Sequence, residues 1–513
     1  MSATGQQESQ AASLGIVTRL TRRLHEENIA YCHWKSNQHV HEAVIGETDL
    51  DILFDRRSAV KTYRILSEEG YKRFQANPSR AYPALEDFLG FDQETGRLAH
   101  LHMHYELSLG EKHLKGYRIP WERLVLSTRV LDPDGIIYIA HPEVETLLFL
   151  LRAALKMRLR DRLLALFGHV YLAGEGMLTE LSFLKERIDP ARVTALAAEL
   201  LGEGAGRVTR EMLAEYPSLS RLSRFRREAR ESLRCYRTYS APEARWRRFR
   251  RELHGLHAAY GRKYTHPPRP LNRTVPCGGR IVVFLGSDGS GKSTVVREVV
   301  RWLSWKVDVC TIYHGSGDGP SSMLRLPLKL ALNAAMGVPP RPSNSNTTVK
   351  SEIPARGEGV SRRLLRRFKP LWALVLSVEK RSKLKRGWRA RNRGLAVICD
   401  RYPQDQVHGF NDGPLLAKWR RHPSRLLRWL ARWEGVPYRR AEIYPPDLVI
   451  KLHVSAAVAL QRKPEMRPEE IRRRIEAIRS LRYPDPTRIV DVDADAPLDR
   501  VLLRVKQAIW ADL

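Results

Sequence analysis

The chain is short of cysteine. There are five in 513 residues, Cys32, Cys235, Cys277, Cys310 and Cys399, scattered and never paired as C-x-x-C. That argues against a disulfide framework and a zinc finger, and it fits a reducing cytoplasm. Long apolar runs are missing too. The best candidate, residues 144–155, is interrupted by Glu145 and Arg152, whereas a spanning helix needs about 18 or more apolar residues. The opening MSATGQQESQ is polar and lacks the apolar centre of a signal peptide. A soluble, cytoplasmic protein is therefore expected, with peripheral membrane contact left open. Acidic residues are the third shortage: 57 Asp and Glu stand against 88 Lys and Arg, a formal net charge of +31. Such an excess favours nucleic acid, anionic lipid, nucleotides or acidic glycans as partners without choosing among them.

A length of 513 residues and a hydrophobic content of 43% allow several packed domains. Residues 1–13 read as disordered. Residues 14–140 read as α+β: Val17, Leu20 and Leu24 recur at helical spacing, and TDLDILF, LAHLHMHYEL and GIIYIA read as strands. Residues 141–264 carry only helical patterns, such as VETLLFLLRAALKM and RVTALAAELL. A Pro- and Gly-rich linker, THPPRPLNRTVPCGG, spans residues 265–279. From 280 to 513 the short apolar runs RIVVFLG, VDVCTIYHG, LAVICD, DLVIKLHV and TRIVDVDA alternate with helical stretches. That alternation predicts an α/β domain on a parallel sheet. The polar segment at 339–359 reads as an insertion. The fold class expected is thus multidomain: an α+β domain, a helical domain and an α/β domain.

The stretch FLGSDGSGKST, residues 284–294, fits the phosphate-loop pattern G-x-x-x-x-G-K-S. It follows an apolar strand and opens a helix. Its glycines, Gly286, Gly289 and Gly291, let backbone N–H groups turn toward phosphate. Ser287, Asp288, Ser290 and Thr294 complete the loop. Lys292 is expected to reach the β- and γ-phosphates of ATP, and the Ser293 hydroxyl to meet Mg²⁺. No N-K-x-D guanine signature is present, which weighs against a GTPase. LAVICD ends in Asp400-Arg401-Tyr402-Pro403. A carboxylate there lies at the ligand edge of a parallel sheet, where Asp400 can organise Mg²⁺ and Arg401 can lean over a transferring phosphoryl group.

With LHVSAAVALQRKPEMR added to the phosphate loop and the Asp-Arg-Tyr run, residues 280–513 resemble the thymidylate kinase family of nucleoside monophosphate kinases. The resemblance implies a P-loop phosphotransferase using ATP and Mg²⁺. It implies a lid arginine, for which Arg462, Lys463 and Arg467 occupy the matching region, and an acceptor-holding role for Asp288. The family's Arg-Glu-Pro-Gly-Gly loop is absent; its place reads YHGSGDGPSS. Thymidine monophosphate is thus an unfavoured acceptor, and the polar run beginning at Gln404 suits a hydroxylated one. A nucleotide or a sugar-like hydroxyl is expected to receive the γ-phosphate.

Near the N-terminus, HWKSNQHVHEAVIGETDLDILF carries Asp49-x-Asp51 on a short strand. Two carboxylates at i and i+2 share one strand face and can jointly hold divalent metal. With the turn at Lys35-Ser36, this resembles the polymerase-β-type nucleotidyltransferase superfamily, and the third carboxylate that the resemblance implies falls at His102 or His104. His100, His102 and His104 alternate and face one side; the plainer expectation is a polar lining of that cleft rather than a metal site. Farther on, residues 223–255 interleave arginines with Phe225, Tyr236, Trp246 and Phe249, a composition that suits nucleic acid, although a solvated helix face is the simpler expectation. A nucleic-acid-binding ATPase is accordingly the alternative to a small-molecule kinase.

Overall fold

The computed structural model describes residues 12–78, 81–82, 84–112, 114–157, 175–215, 218–264, 270–315, 360–408 and 413–513. Residues 1–11 of the expected disordered N-terminus, 265–269 of the expected linker, 316–322 of YHGSGDGPSS, 409–412 of the run after Gln404 and the whole 339–359 insertion lie outside this set. The chain is multidomain α/β, with one mixed sheet, one parallel sheet and many helices, and divides into two compact units, Met1–Tyr260 and Gly261–Leu513.

In the first unit the strands are β1 (Tyr31–His33), β2 (Asp49–Phe54), β3 (Lys72–Ala76), β4 (Leu85–Phe91), β5 (Leu98–His104), β6 (Leu107–Leu109), β7 (Tyr117–Ile119), β8 (Val130–Leu131) and β9 (Tyr138–Ile139). Seven of them lie in the order β3-β4-β5-β2-β1-β9-β8. β2 and β5 run parallel, with Asp49 opposite His100 and Asp51 opposite His102. β4 is antiparallel to β5, which sets Asp87 opposite His102.

Strand alternation sorts β2 into two faces. Leu50, Ile52 and Phe54 pack with Val17, Leu20 and Leu24 of the helix Gly15–Glu26. At about 1.5–3 kcal/mol per buried large aliphatic side chain, this face anchors the strand. Asp49, Asp51 and Leu53 point the other way. Leu53 joins Cys32 and Trp34 in a core completed by Leu147, Leu151, Leu201, Met212 and Phe225. The strand-rich and helical segments thus share one hydrophobic core. Its centre is the helix Pro142–Lys156, buried on all sides from Val144 to Leu155, as a core helix should be. Among the described residues no helix is long and apolar enough to cross a membrane.

In the second unit a short strand, β10 (Arg273–Thr274), precedes β11 (Arg280–Gly286), β12 (Val309–Tyr313), β13 (Ala396–Asp400), β14 (Leu448–His453) and β15 (Arg488–Asp493). The last five are the five apolar runs read from the sequence. They form a parallel sheet ordered β12-β13-β11-β14-β15. β11 is buried from Ile281 through Gly286, as befits a middle strand covered on both faces.

Candidate functional site

β11 ends at Gly286, and the helix Lys292–Ser304 starts six residues later, with Gly291 as its N-cap. Gly289 and Gly291 have φ of 82° and 74°, a region that suits glycine. Gly289 also lies against the helix Ala456–Arg462: a Cβ there would sit 2.9 Å from the Ala459 carbonyl oxygen. The Ser287 and Ser290 side chains are buried, and neither hydroxyl has a hydrogen-bond partner among the described residues. Unpaired buried hydroxyls are costly. A helix N-terminus with its free N–H groups supplies the rest of an anion cradle.

β13 neighbours β11 with Asp400 opposite Phe284, which brings Asp400 to Lys292; the two form an ion pair. Burial lowers the pKa of Lys292, Asp400 raises it, and Arg401 lowers it further; the net shift is downward. Ser293 is exposed in the first helical turn. Arg401 has a φ of 69° and donates its backbone N–H to Phe284 O at 3.0 Å. A non-glycine residue held there costs about 1–3 kcal/mol, a strain that concentrates at functional sites. Arg462 Nη1 donates to Gly289 O at 3.1 Å and to Ala494 O at 3.2 Å, so this expected lid arginine touches the loop. Lys463 follows the same helix, and Arg467 caps the next one, Pro468–Ser480.

The structure adds residues that sequence reasoning missed. Arg474, on the helix Pro468–Ser480, pairs with Asp288 in the loop. Lys383, on the helix Val360–Asn392, donates to Tyr313 O at 2.6 Å. His314, next to Tyr313, is buried, and its backbone N–H donates to Asp400 O at 3.0 Å. Burial first, then Lys383 and Lys380, hold its pKa well below the imidazole value. Lys383 also pairs with buried Glu379 at 2.6 Å, and Lys380 donates to Tyr438 Oη at 3.1 Å. Only the three-dimensional packing shows this.

In the first unit the sheet gathers a second cluster. His100 Nδ1 lies 2.6 Å from Asp49 Oδ1. His102 Nδ1 and His104 Nε2 each lie 3.1 Å from Asp51 Oδ1, and Lys35 Nζ lies 2.8 Å from the same oxygen. Burial favours protonation of Asp51, but Lys35, His102 and His104 outweigh it and hold the carboxyl well below its ordinary range. Burial would lower His102, yet hydrogen bonds with Asp51 and Asp87 raise it to about 9. His104 is lowered to about 4, chiefly by burial. Glu106 points elsewhere, to Arg56 and Arg118. Ser36, in the turn beside Lys35, has a φ of 55°, the conformation for which glycine is the usual choice. Asn37 donates its backbone and side-chain N–H groups to buried Glu145 at 2.8 and 2.7 Å. Lys115 is lowered to about 7 by burial and by the charges of Lys35, Lys156 and Arg152.

In the arginine-rich segment Phe225 is core and not available to a ligand, whereas Trp246 and Phe249 are exposed and stacked at 5.7 Å. A cleft of about 640 Å³ is lined by Arg224, Arg226, Arg227, Arg230, Arg234 and Arg237 with Tyr117 and Glu231.

No family model matches the chain. Over 237 residues it is 27% identical to the uncharacterized ATP-binding protein YghR of Escherichia coli strain K12, covering 45% of this chain and 86% of that protein. Over 247 residues it is 28% identical to the uncharacterized ATP-binding protein YghS of the same strain, covering 46% of this chain and 94% of that one. Each alignment spans less than half of the present chain.

Proposed function

We propose that the second unit is an ATP- and Mg²⁺-dependent phosphotransferase, similar to thymidylate kinases, that acts on a small acceptor bearing a hydroxyl or phosphate. The observation that carries this is the loop between β11 and the helix Lys292–Ser304, with two buried serine hydroxyls unpartnered among the described residues and Lys292 against Asp400. Those groups fit a bound polyphosphate, and the names of the YghR and YghS relatives support ATP as its source. When bound, Mg·ATP supplies the γ-phosphoryl group. Lys292 would contact phosphate oxygen, and Asp400 with Ser293 would hold Mg²⁺ or its waters. Arg401, and Arg462 on the helix that braces Gly289, counter the charge that develops on the transferring group. Asp288 helps hold the acceptor, its position fixed by Arg474. A nucleotide and a sugar-like hydroxyl are the leading acceptors.

In the same reading residues 14–140 are nucleotidyltransferase-like, with Asp49 and Asp51 as metal ligands, residues 141–264 form a helical domain, and residues 265–279 link them to the second unit. Incubation with γ-labelled ATP and a panel of nucleotides, sugars and sugar phosphates tests the main proposal. Label transfer to one acceptor without nucleic acid supports it. Hydrolysis that depends on DNA or RNA and falls steeply with salt would instead support a nucleic-acid-binding ATPase, for which the arginine-lined cleft is the specific feature.

A further inference from the structure

The histidines of β5 stand between carboxylates on both sides. His100 has Nδ1 2.6 Å from Asp49 and Nε2 3.1 Å from Asp87. His102 has Nδ1 3.1 Å from Asp51 and Nε2 3.2 Å from Asp87. Asp87 is buried at 3% exposure and faces the Nε2 atom of both rings. A carboxylate that accepts the far N–H of a histidine is also the usual second partner of a metal-bound imidazole, because it fixes the tautomer and the ring orientation.

The spacing fits. Asp51, His102 and His104 each offer a ligand atom, all within 4.8 Å of one another, and Asp49, His100 and His102 do the same. The two trios share His102. Ligand atoms about 2.1 Å from a tetrahedral ion are roughly 3.4 Å apart, close to the 3.1 Å separations at Asp51. We propose that Asp51, His102 and His104 hold a first-row divalent transition-metal ion, with Asp87 orienting the His102 imidazole. Imidazole nitrogen suits Zn²⁺, Co²⁺ and related ions, whereas Mg²⁺ prefers an octahedron of oxygens, so the site discriminates against Mg²⁺. Lys35, on Asp51 Oδ1, yields its place as the ion enters. The assignment stands on this geometry alone and holds whether or not the first unit transfers nucleotidyl groups.

The test is titration of the full-length, chelator-stripped protein with Co²⁺, followed by absorbance, and with Zn²⁺ and Mg²⁺, followed by calorimetry. Expected are d–d bands without thiolate charge transfer and retention of Co²⁺ against about tenfold excess Mg²⁺. His102→Asn and His104→Asn should each weaken Co²⁺ binding at least tenfold, and Asp87→Asn by about 10–100-fold, with melting curves near wild type. Thiolate bands, displacement by equimolar Mg²⁺, or unchanged affinity in His102→Asn would overturn the proposal. Should that variant fail to fold, the wild-type Co²⁺ complex decides: hyperfine-shifted, exchangeable imidazole N–H signals are expected, and their absence counts against the site.

Discussion

Lys292 and Glu145 are buried ionisable residues whose surroundings predict opposite uses. Lys292 is held between burial, which disfavours its charge, and Asp400, which restores it. Lys292→Ala should lower ATP turnover by at least about 10²-fold, the scale of losing one charge-stabilising donor, and leave the melting curve nearly unchanged; turnover equal to wild type would remove the phosphotransferase reading. Glu145 has no such duty. Burial raises its pKa to about 7 despite two N–H donors from Asn37. Its folded value lies above the ordinary 4.5. Its contribution is therefore fully present below about pH 4.5 and lost as pH rises through 7. The difference is on the order of 3 kcal/mol at about 1.4 kcal/mol per unit. Glu145→Gln should flatten this decline. Denaturant midpoints of wild type and variant, compared between pH 5 and pH 7.5, should diverge; parallel curves would show that Glu145 does not titrate in that window.

The phosphate loop shows how elements divide the work. The loop is the proposed binder, and the helix Ala456–Arg462 packs on it through Ala459 against Gly289 and Arg462 on the Gly289 carbonyl. Gly289→Ala is caught twice, by a φ of 82° and by the Ala459 carbonyl 2.9 Å from the new methyl. We expect it to weaken a fluorescent ATP analogue about tenfold or more, a loss of about 1.4 kcal/mol, without disturbing β11; unchanged affinity would mean that the loop tolerates displacement. This division also explains what the sequence could reveal. The phosphate loop was legible because its chemistry lies in one contiguous stretch, and β11 to β15 were legible because strands buried on both faces read as continuous apolar runs. β3 was not, since only Phe74 of its residues is buried, which is too little pattern to see. Asp87, Arg474 and Lys383 were illegible for another reason. Each reaches its site through sheet register or helix packing across long stretches of chain, and nothing local marks them. The alternation of His100, His102 and His104 was visible, but the carboxylate behind them was not.

At the scale of the whole molecule, the question is whether the two clusters of carboxylates and cations work separately. One is built from β2, β4 and β5 of the first unit, the other from β11, β13 and the helices after β14 of the second, and each unit has its own hydrophobic core. Asp49 and Asp51 pair with Lys35 and the β5 histidines of the same unit. Asp400 and Lys292 pair within the second. Separate cores of this kind predict independent chemistry. Asp49→Asn combined with Asp51→Asn should therefore leave ATP turnover by the second unit within about twofold of wild type, a change under about 0.5 kcal/mol in barrier height. If the first unit transfers nucleotidyl groups, the same variant loses pyrophosphate release from nucleoside triphosphates. If it only binds, wild type releases none either, and the variant differs only in metal affinity. Parallel assays of γ-phosphate transfer, pyrophosphate release and Co²⁺ binding on one preparation separate these cases. A well-folded double variant that has lost γ-phosphate transfer would defeat the two-site map. The residues now assigned to separate sites would then have to act in one composite site, with the 265–279 segment serving as its hinge.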